Sequence, residues 1–301
     1  MNYSNSTIGF IGLGNIGGPM ARNIAIKHAG EFIAYDANPA AFAALEGTKA
    51  QRAGSLAELA SRAEVVFMSL PGSTQVEAVC LGAEGLASSP KRPTAIVDLS
   101  TVTVAMTRSV AARLADRRVA FADAPVARTV EAARRGELSI MVGADDKLFA
   151  LIEPLLRYMG SDVTLCGGVG CGQVVKLVNN ALVFEHTAAL AEMLVLAERA
   201  GVEPMKLLDA VSKGSGDSFV LRNHGMKAMI PRAFPKGGFP PEYALKDISY
   251  VMELASQTGT SAAFTDLARR YYDAAVKNGF GGKYFPGVVE MIEKDIGPTS
   301  A

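Results

Sequence analysis

The sequence predicts an α/β fold class in which a doubly wound sheet is followed by an all-helical domain. Up to Gly167, short runs rich in β-branched residues alternate with amphipathic stretches, a pattern typical of parallel β-α-β units. Four glycines between residues 167 and 172 then interrupt the chain. Beyond them, 28 residues without glycine or proline, 173–200, predict one long helix.

Seven apolar runs in the first part of the chain predict the strands of the sheet. Each is short and rich in β-branched or aromatic residues, and amphipathic stretches separate many of them. The predicted strands are residues 8–13, 32–35, 65–70, 95–99, 119–122, 138–142 and 163–165.

The long helix predicted at 173–200 would end at Gly201, a residue suited to a helix C-cap. Lys176 and other charged and amide residues interrupt its apolar sequence, so we interpret it as a buried central helix rather than a membrane span. Further helices are predicted at 204–212, 243–258 and 265–278. The chain therefore divides into a first domain, residues 1–166, and a helical second domain, residues 167–301.

Composition disfavours several functional classes. The chain has 301 residues, of which 49% are hydrophobic, enough for a sizeable core. Its 30 basic and 30 acidic side chains cancel, so no uniform field attracts nucleic acid or an anionic membrane. Three cysteines and three histidines lie apart without the spacing of metal ligands, so no metal site is expected.

No signal peptide is evident, and a cytoplasmic location is expected.

A glycine-rich motif follows the first predicted strand. Gly12, Gly14 and Gly17 form G-x-G-x-x-G at the start of a helix predicted at 15–29. The first glycine permits a tight turn, the second lets backbone approach a pyrophosphate, and the third lets helix and strand pack closely. The phosphates would lie at the helix N-terminus, which indicates a Rossmann-type dinucleotide-binding domain. The predicted contacts are Gly12, Leu13, Gly14, Asn15, Ile16 and Gly17.

Asp36 follows Gly17 by 19 residues, at the end of the second predicted strand. An acid at this position accepts hydrogen bonds from the adenosine ribose of NAD and repels the 2′-phosphate of NADP. The residues that follow, 37–39, supply no arginine for that phosphate. NAD is therefore the expected cofactor, and NADP is disfavoured.

Separated motifs along nearly the whole chain resemble those of the β-hydroxyacid dehydrogenase family, which includes 3-hydroxyisobutyrate dehydrogenase and tartronate semialdehyde reductase. They are G-F-I-G-L-G-N-I-G-G-P-M-A at 9–21, L-P at 70–71, V-D-L-S-T at 97–101, D-A-P-V at 123–126, G-E-L at 136–138, G-Q-V-V-K-L-V-N-N at 172–180 and K-D at 246–247.

The resemblance implies a Rossmann domain, a helical domain and a substrate cleft between them. It implies that Lys176 is the catalytic group and that Asn179 and Asn180 orient the substrate. The residues it places beside the cofactor are Leu70, Pro71, Ser100, Thr101 and, with less weight, Lys246. We also assign Ser100 to the substrate pocket.

The spacing of Lys176, Asn179 and Asn180 agrees with this role. Residues at i, i+3 and i+4 share one face of a helix, so an ammonium and two amides could grip a hydroxyl and a carboxylate together. Lys176 would take the hydroxyl proton during oxidation and return it during reduction. A lone lysine in an apolar helix more often faces solvent, but the amide pair and the other motifs favour catalysis.

One departure from the family pattern concerns the substrate. After D-A-P-V most members continue S-G-G, whereas this chain reads Ala127-Arg128-Thr129. Arg128 and Thr129 are therefore predicted to bind the anionic end of a small substrate, as in the similar turn of sulfolactaldehyde reductases. Those enzymes carry a serine where Val183 stands here, which argues against that assignment and would suit a different anion or a more apolar tail. Alternatively, Arg128 pairs with Glu131 or faces water.

Several alternatives remain open within and outside this family. A sulfolactaldehyde reductase or a 4-hydroxybutyrate-type dehydrogenase would fit the same motifs, and a non-catalytic nucleotide-binding module is the alternative from another class. The second domain is shorter than 6-phosphogluconate dehydrogenases require, and imine reductases lack the lysine present at 176. The faces of the long helix suggest a homodimer or homotetramer.

Overall fold

The computed structural model describes residues 3–296. The chain forms two compact units, of which the first ends at Lys176 and the second begins at Leu177. The division lies within one helix, whereas the boundary predicted after residue 166 lies within the last strand of the sheet.

A single sheet in the first unit contains all seven predicted strands and two more of two residues each. Its strands are β1 Ile8–Ile11, β2 Phe32–Tyr35, β3 Gln51–Arg52, β4 Val65–Met68, β5 Ala95–Asp98, β6 Ala120–Asp123, β7 Val126–Ala127, β8 Leu138–Gly143 and β9 Gly160–Gly167. The sequence missed β3 and β7 because two residues are too short to show a periodicity.

The sheet order is β3-β2-β1-β4-β5-β6-β8-β7, with β9 paired to β8. Strands from β3 to β6 are parallel, as a doubly wound sheet requires. β8 instead runs antiparallel to β6 and β7 and parallel to β9. The carboxyl ends of β4, β5 and β6 therefore meet at one edge of the sheet.

Both faces of the sheet are covered by apolar packing. Along β4, Val65 and Phe67 belong to one buried cluster and Val66 and Met68 to another, as the two-residue period of a strand dictates. β1, β4 and β5 are buried throughout their length, which explains their continuous apolar sequences.

Helices of the first unit connect these strands. They are α1 Gly17–Lys27, α2 Leu56–Arg62, α3 Ser73–Leu81, α4 Val104–Ala115, α5 Val130–Arg135 and α6 Asp146–Leu156, with 3₁₀ segments at Pro39–Leu45 and Leu86–Ser88. Side chains cap several of them: Ser55, Thr103 and Asp145 each accept a backbone N–H of the first turn.

Helices dominate the described part of the second unit. They are α7 Cys171–Arg199, which begins in the first unit, α8 Pro204–Val211, α9 Pro241–Thr258, α10 Ala263–Ala275 and α11 Val289–Glu293, with π-helical segments at Leu221–Met229 and Val276–Phe280 and a 3₁₀ segment at Phe285–Val288. The four helices predicted here agree with α7 to α10 within a turn. The last of them, predicted at 265–278, extends into the second π-helical segment, whereas the segment Leu221–Met229 was not predicted. Phe184, Tyr272 and Phe285 pack edge to face at the core, and the buried Tyr272 hydroxyl donates to the Phe184 carbonyl.

α7 is the only helix among residues 3–296 that is long and apolar enough to cross a membrane. Half of its most apolar 18-residue window is buried within the protein. Length and composition alone carry this finding, and the core helix of a soluble protein meets the same criteria.

Candidate active site

The glycine-rich loop joins β1 to the N-terminus of α1, as the sequence predicted. Gly12 has a φ of +90°, and a side chain there would clash with the carbonyl of Ser69. A side chain at Gly17 would clash with the carbonyl of Gly12. Gly14 has nothing within 4 Å of its missing Cβ. The outer glycines are thus required by packing, whereas Gly14 leaves space for a ligand to approach the backbone.

Asp36 follows β2 and lies beside this loop. Its Oδ2 accepts the N–H of Leu13 at 2.6 Å, and its Oδ1 accepts the N–H of Asn38 at 2.7 Å. The carboxylate is half-buried and held in place by both bonds. A ribose that approached the glycine loop would meet an oriented acceptor, so these residues fit the adenosine end of a dinucleotide.

A cavity of about 730 Å³ opens beside the loop. It is lined by Leu13, Gly14, Asn15, Pro19, Arg22, Ala41, Ala44, Val130 and Arg134. The two arginines and the N-terminus of α1 supply positive charge and N–H donors, which suit an anionic group such as a pyrophosphate. Residues 3–296 hold no group of three or more His, Cys, Asp or Glu side chains arranged for a metal ion.

The loops after β4 and β5 are tied together by Ser100. Its hydroxyl accepts the N–H of Leu70 at 2.8 Å, and its own N–H donates to Oδ1 of Asp98 at 2.9 Å. The structure therefore brings together the two turns predicted to border the cofactor, Leu70-Pro71 and Ser100-Thr101. The Ser100 side chain is only 3% exposed and holds these loops, whereas the sequence also assigned it to the substrate.

Two buried acids end the adjacent strands β5 and β6. Burial raises the pKa of Asp98 to about 7, against hydrogen bonds from Ser100 that lower it. Burial also raises the pKa of Asp123 to about 6, although backbone N–H groups favour its ionised form. Sequence reasoning proposed neither acid as a site residue. The available signal was an acid at the end of an apolar strand, beside the predicted cofactor loops.

Asp123 holds the N-terminus of α7. Its Oδ1 accepts the N–H of Gly170 at 2.6 Å, and its Oδ2 accepts the N–H of Gln173 at 2.8 Å. A Cβ at Gly143 would clash with Oδ1, and one at Gly172 would come within 2.8 Å of Oδ2. A buried carboxylate thus occupies the positive end of the helix that carries Lys176, and the two glycines make room for it.

Lys176, Asn179 and Asn180 lie along α7 at the predicted spacing. The Lys176 side chain is buried, with 9% of its surface exposed. Nδ2 of Asn179 donates to Oδ1 of Asn180 at 3.0 Å, and Nδ2 of Asn180 donates to Oδ2 of Asp247 at 2.7 Å. The amide of Asn180 is therefore oriented at both ends.

Lys246 and Asp247 differ in their surroundings. Asp247 is 2% exposed, and its Oδ1 lies 3.1 Å from Nζ of Lys246. Nζ of Lys246 also lies 5.1 Å from the centre of the Tyr250 ring. The buried Asp247 also accepts a hydrogen bond from Asn180. That link joins residues 67 positions apart and left no trace in the sequence.

Arg128 has intramolecular partners that the sequence did not suggest. It has a φ of +88°, uncommon for a residue with a side chain. Its Nη1 donates to the Glu137 carbonyl at 2.6 Å and to Oγ of Ser161 at 2.9 Å, and its Nη2 donates to Oδ2 of Asp162 at 2.7 Å. Hydrogen bonds from Ser161 and Arg128 lower the pKa of Asp162. A substrate anion would have to compete with Asp162 for this guanidinium.

Thr129, the other residue predicted to bind the anion, is the N-cap of α5. Its Oγ1 accepts the N–H of Ala132 at 3.2 Å. The sequence offered Glu131 or water as alternative partners for Arg128. In the structure Glu131 pairs with Arg134 and Arg135 instead, and Arg128 has the partners described above.

Two family models cover most of the chain. Residues 7–168 match a model described as the NAD binding domain of 6-phosphogluconate dehydrogenase. Residues 170–292 match one described as NAD-binding of NADP-dependent 3-hydroxyisobutyrate dehydrogenase.

Curated relatives and solved structures extend over the same length. The chain is 33% identical over 290 residues to a 2-(hydroxymethyl)glutarate dehydrogenase of Eubacterium barkeri, covering 96% of both. It is 32% identical to the mitochondrial 3-hydroxyisobutyrate dehydrogenase of Mus musculus, covering 97% of this chain and 88% of the relative. Among solved structures, a 3-hydroxyisobutyrate dehydrogenase of Mycobacterium tuberculosis with L-serine superposes with a TM-score of 0.86 at 27% identity, covering 96% of this chain and 99% of that one.

Proposed function

The chain belongs to the β-hydroxyacid dehydrogenase family, and we propose that it interconverts a small 3-hydroxy or similar acid and its aldehyde or keto acid, with Lys176 as general acid and base. The family makes the protein an oxidoreductase that binds NAD or NADP. The observation that carries the proposal is the buried Lys176, in the first turns of a helix whose N-terminus is hydrogen-bonded to Asp123 at the end of β6 and to the Ser100 carbonyl in the loop after β5.

Lys176 supplies the proton transfer in this proposal. When bound, the nicotinamide supplies the hydride chemistry. The neutral amine of Lys176 takes the hydroxyl proton during oxidation, and its ammonium returns the proton to the carbonyl oxygen during reduction. Burial of the side chain keeps bulk water from competing for that proton.

The two asparagines have different tasks in this proposal. Asn180 is fixed by Asp247 and accepts a hydrogen bond from Asn179, so it orients its neighbour. Asn179 is half-buried and contacts the substrate beside Lys176. Arg128 and Thr129 remain the proposed contacts for the anionic end, subject to competition from Asp162.

We propose NAD as the preferred cofactor. Asp36 carries a negative charge at the ribose end of the glycine loop, held there by the N–H groups of Leu13 and Asn38. That carboxylate accepts from both ribose hydroxyls of NAD, whereas the 2′-phosphate of NADP would meet it as a like charge.

A substrate screen combined with one substitution tests the catalytic proposal. Small hydroxy acids, including 3-hydroxyisobutyrate, 2-(hydroxymethyl)glutarate, 4-hydroxybutyrate, glycerate and sulfolactate, are assayed for reduction of NAD and NADP. With the best acid, Lys176→Ala should lower kcat by about 10² to 10⁴, the range for loss of general acid-base catalysis, while NADH still binds. Lys206→Ala, an exposed lysine on α8, is the control and should match the wild type.

Turnover of Lys176→Ala within a few-fold of the wild type would refute the proposed role. A wild type that binds NADH but turns over none of the acids and none of their aldehydes would favour the non-catalytic alternative.

We also propose that the chain forms a homodimer through α7. Exposed apolar side chains recur at helical spacing along one face of this helix in the second unit: Val178, Leu182, Ala189, Met193 and Leu196. An antiparallel second copy would bring Val178 opposite Leu196 and Leu182 opposite Met193, so this face is complementary to itself. Leu182→Lys should shift the mass measured by light scattering from dimer to monomer, and an unchanged dimer would refute this interface.

A further inference from the structure

Gln173 connects α7 to the loop after β5. Its side chain is fully buried. Its Nε2 donates to the carbonyl of Ser100 at 2.8 Å, and its Oε1 accepts the N–H of Val102 at 3.2 Å. The carboxamide therefore holds the backbone on both sides of Thr101, one of the residues expected beside the cofactor.

The same residue is also held from the sheet. Its backbone N–H donates to Asp123 at 2.8 Å, and the other oxygen of that carboxylate accepts from Gly170. Ser100, whose carbonyl binds the carboxamide, accepts the N–H of Leu70 with its side-chain hydroxyl. One chain of hydrogen bonds thus links the ends of β4, β5 and β6 to the first turn of α7.

We propose that Gln173 and Asp123 are positioning residues that set where Lys176 stands relative to the loop 100–102. This inference rests on the proposed function, because Lys176 has to be the proton-transfer group. Lys176 follows Gln173 by three residues, which is less than one helical turn, so a movement of the first turn moves the ammonium with it. A misplacement of about 1 Å can cost about 10²-fold in rate.

The chemistry of this position favours a carboxamide. The Ser100 carbonyl needs a donor and the Val102 N–H needs an acceptor, and a glutamine side chain offers both in one plane. A methionine has nearly the same length but leaves both backbone groups unpaired in a buried place. A glutamate keeps the acceptor and, when ionised, loses the donor. The two substitutions therefore remove the link in steps.

Gln173→Met and Gln173→Glu should lower kcat by about 100-fold and about 10-fold, with the KM of the acid and the Kd of NADH within about 3-fold of the wild type. Gln75→Met, at an exposed glutamine on α3, is the control and should match the wild type. Amide hydrogen exchange of the cofactor-free protein gives a second readout. Exchange across residues 168–176 should quicken in Gln173→Met and stay unchanged in the control, because the loop tether to this turn is lost.

The decisive comparison repeats Gln173→Met in the Lys176→Ala protein. If Gln173 acts by positioning Lys176, its substitution should change the residual rate by less than about 3-fold, since residues that act as a unit are non-additive. An equal loss in both backgrounds, or wild-type kcat in Gln173→Met, would overturn this inference and leave the proposed function intact. Near wild-type turnover of Lys176→Ala alone would overturn the proposed function and this inference with it.

Discussion

The buried carboxyl of Asp98 is predicted to make a contribution to the free energy of unfolding that falls as pH rises. The side chain has no exposed surface, its Oδ1 accepts the Ser100 N–H, and its Oδ2 has no hydrogen-bond partner among the described residues. Burial raises its pKa to about 7 from a usual value of 3.8. Asp98→Asn keeps the shape and the acceptor for Ser100 and removes the titration, so it isolates this one group.

The size and sign of the effect follow from proton linkage. Between pH 4 and pH 7 the Asp98 carboxyl is mostly protonated in the folded state and mostly ionised in the unfolded state. The bound proton therefore stabilises the fold, and this stabilisation is lost as the pH rises through about 7. A pKa difference of about three units corresponds to about 4 kcal/mol, of which about 2.5 kcal/mol would be lost between pH 5 and pH 8. The asparagine variant does not lose it. Its free energy of unfolding, relative to the wild type, should therefore rise by about 2.5 kcal/mol over that range.

Urea unfolding followed by circular dichroism at pH 5, 6, 7 and 8 measures this difference. Both proteins are compared at one concentration, and equal m-values are needed for the comparison to hold. Asp116→Asn, at an exposed carboxyl, is the control and should show no such trend. Asp123 titrates in both the wild type and Asp98→Asn, so its contribution largely cancels in the difference between them. A difference between Asp98→Asn and wild type that stays constant with pH, or that falls as pH rises, would refute the burial argument.

Three further predictions concern the binding groups. Asp36→Ser should shift the ratio of kcat/KM for NAD over NADP toward NADP by at least about 10-fold, because one repulsive charge interaction is removed. An unchanged ratio would contradict the role of Asp36 at the ribose. Asp162→Asn should lower the KM of an anionic substrate and Arg128→Ala should raise it, with no effect on an uncharged ester; steady-state kinetics on both substrates checks this competition. Gly14→Ala should keep the wild-type melting temperature but weaken NADH binding, whereas Gly17→Ala should lower the melting temperature because its Cβ meets the Gly12 carbonyl.

Local patterns in the sequence determined much of this fold. Seven apolar runs gave seven strands, because a buried parallel strand needs an uninterrupted apolar sequence. The break-free stretch after the glycines gave α7, and the spacing of Gly12, Gly14 and Gly17 gave the loop at the N-terminus of α1. Each of these features depends on residues close together in the chain, so each leaves a periodicity or a spacing that can be read directly.

Only the tertiary structure decided how the polar side chains pair. Gln173 meets Asp123 from 50 residues away, Asn180 meets Asp247 from 67, and Arg128 meets Asp162 from 34. The apolar strands before Asp98 and Asp123 marked these acids as candidates, but their burial depends on which strands and helices pack around them. The pKa of Asp98, the tether through Gln173 and the partner of Arg128 are consequences of that packing, and the chain shows them only when folded.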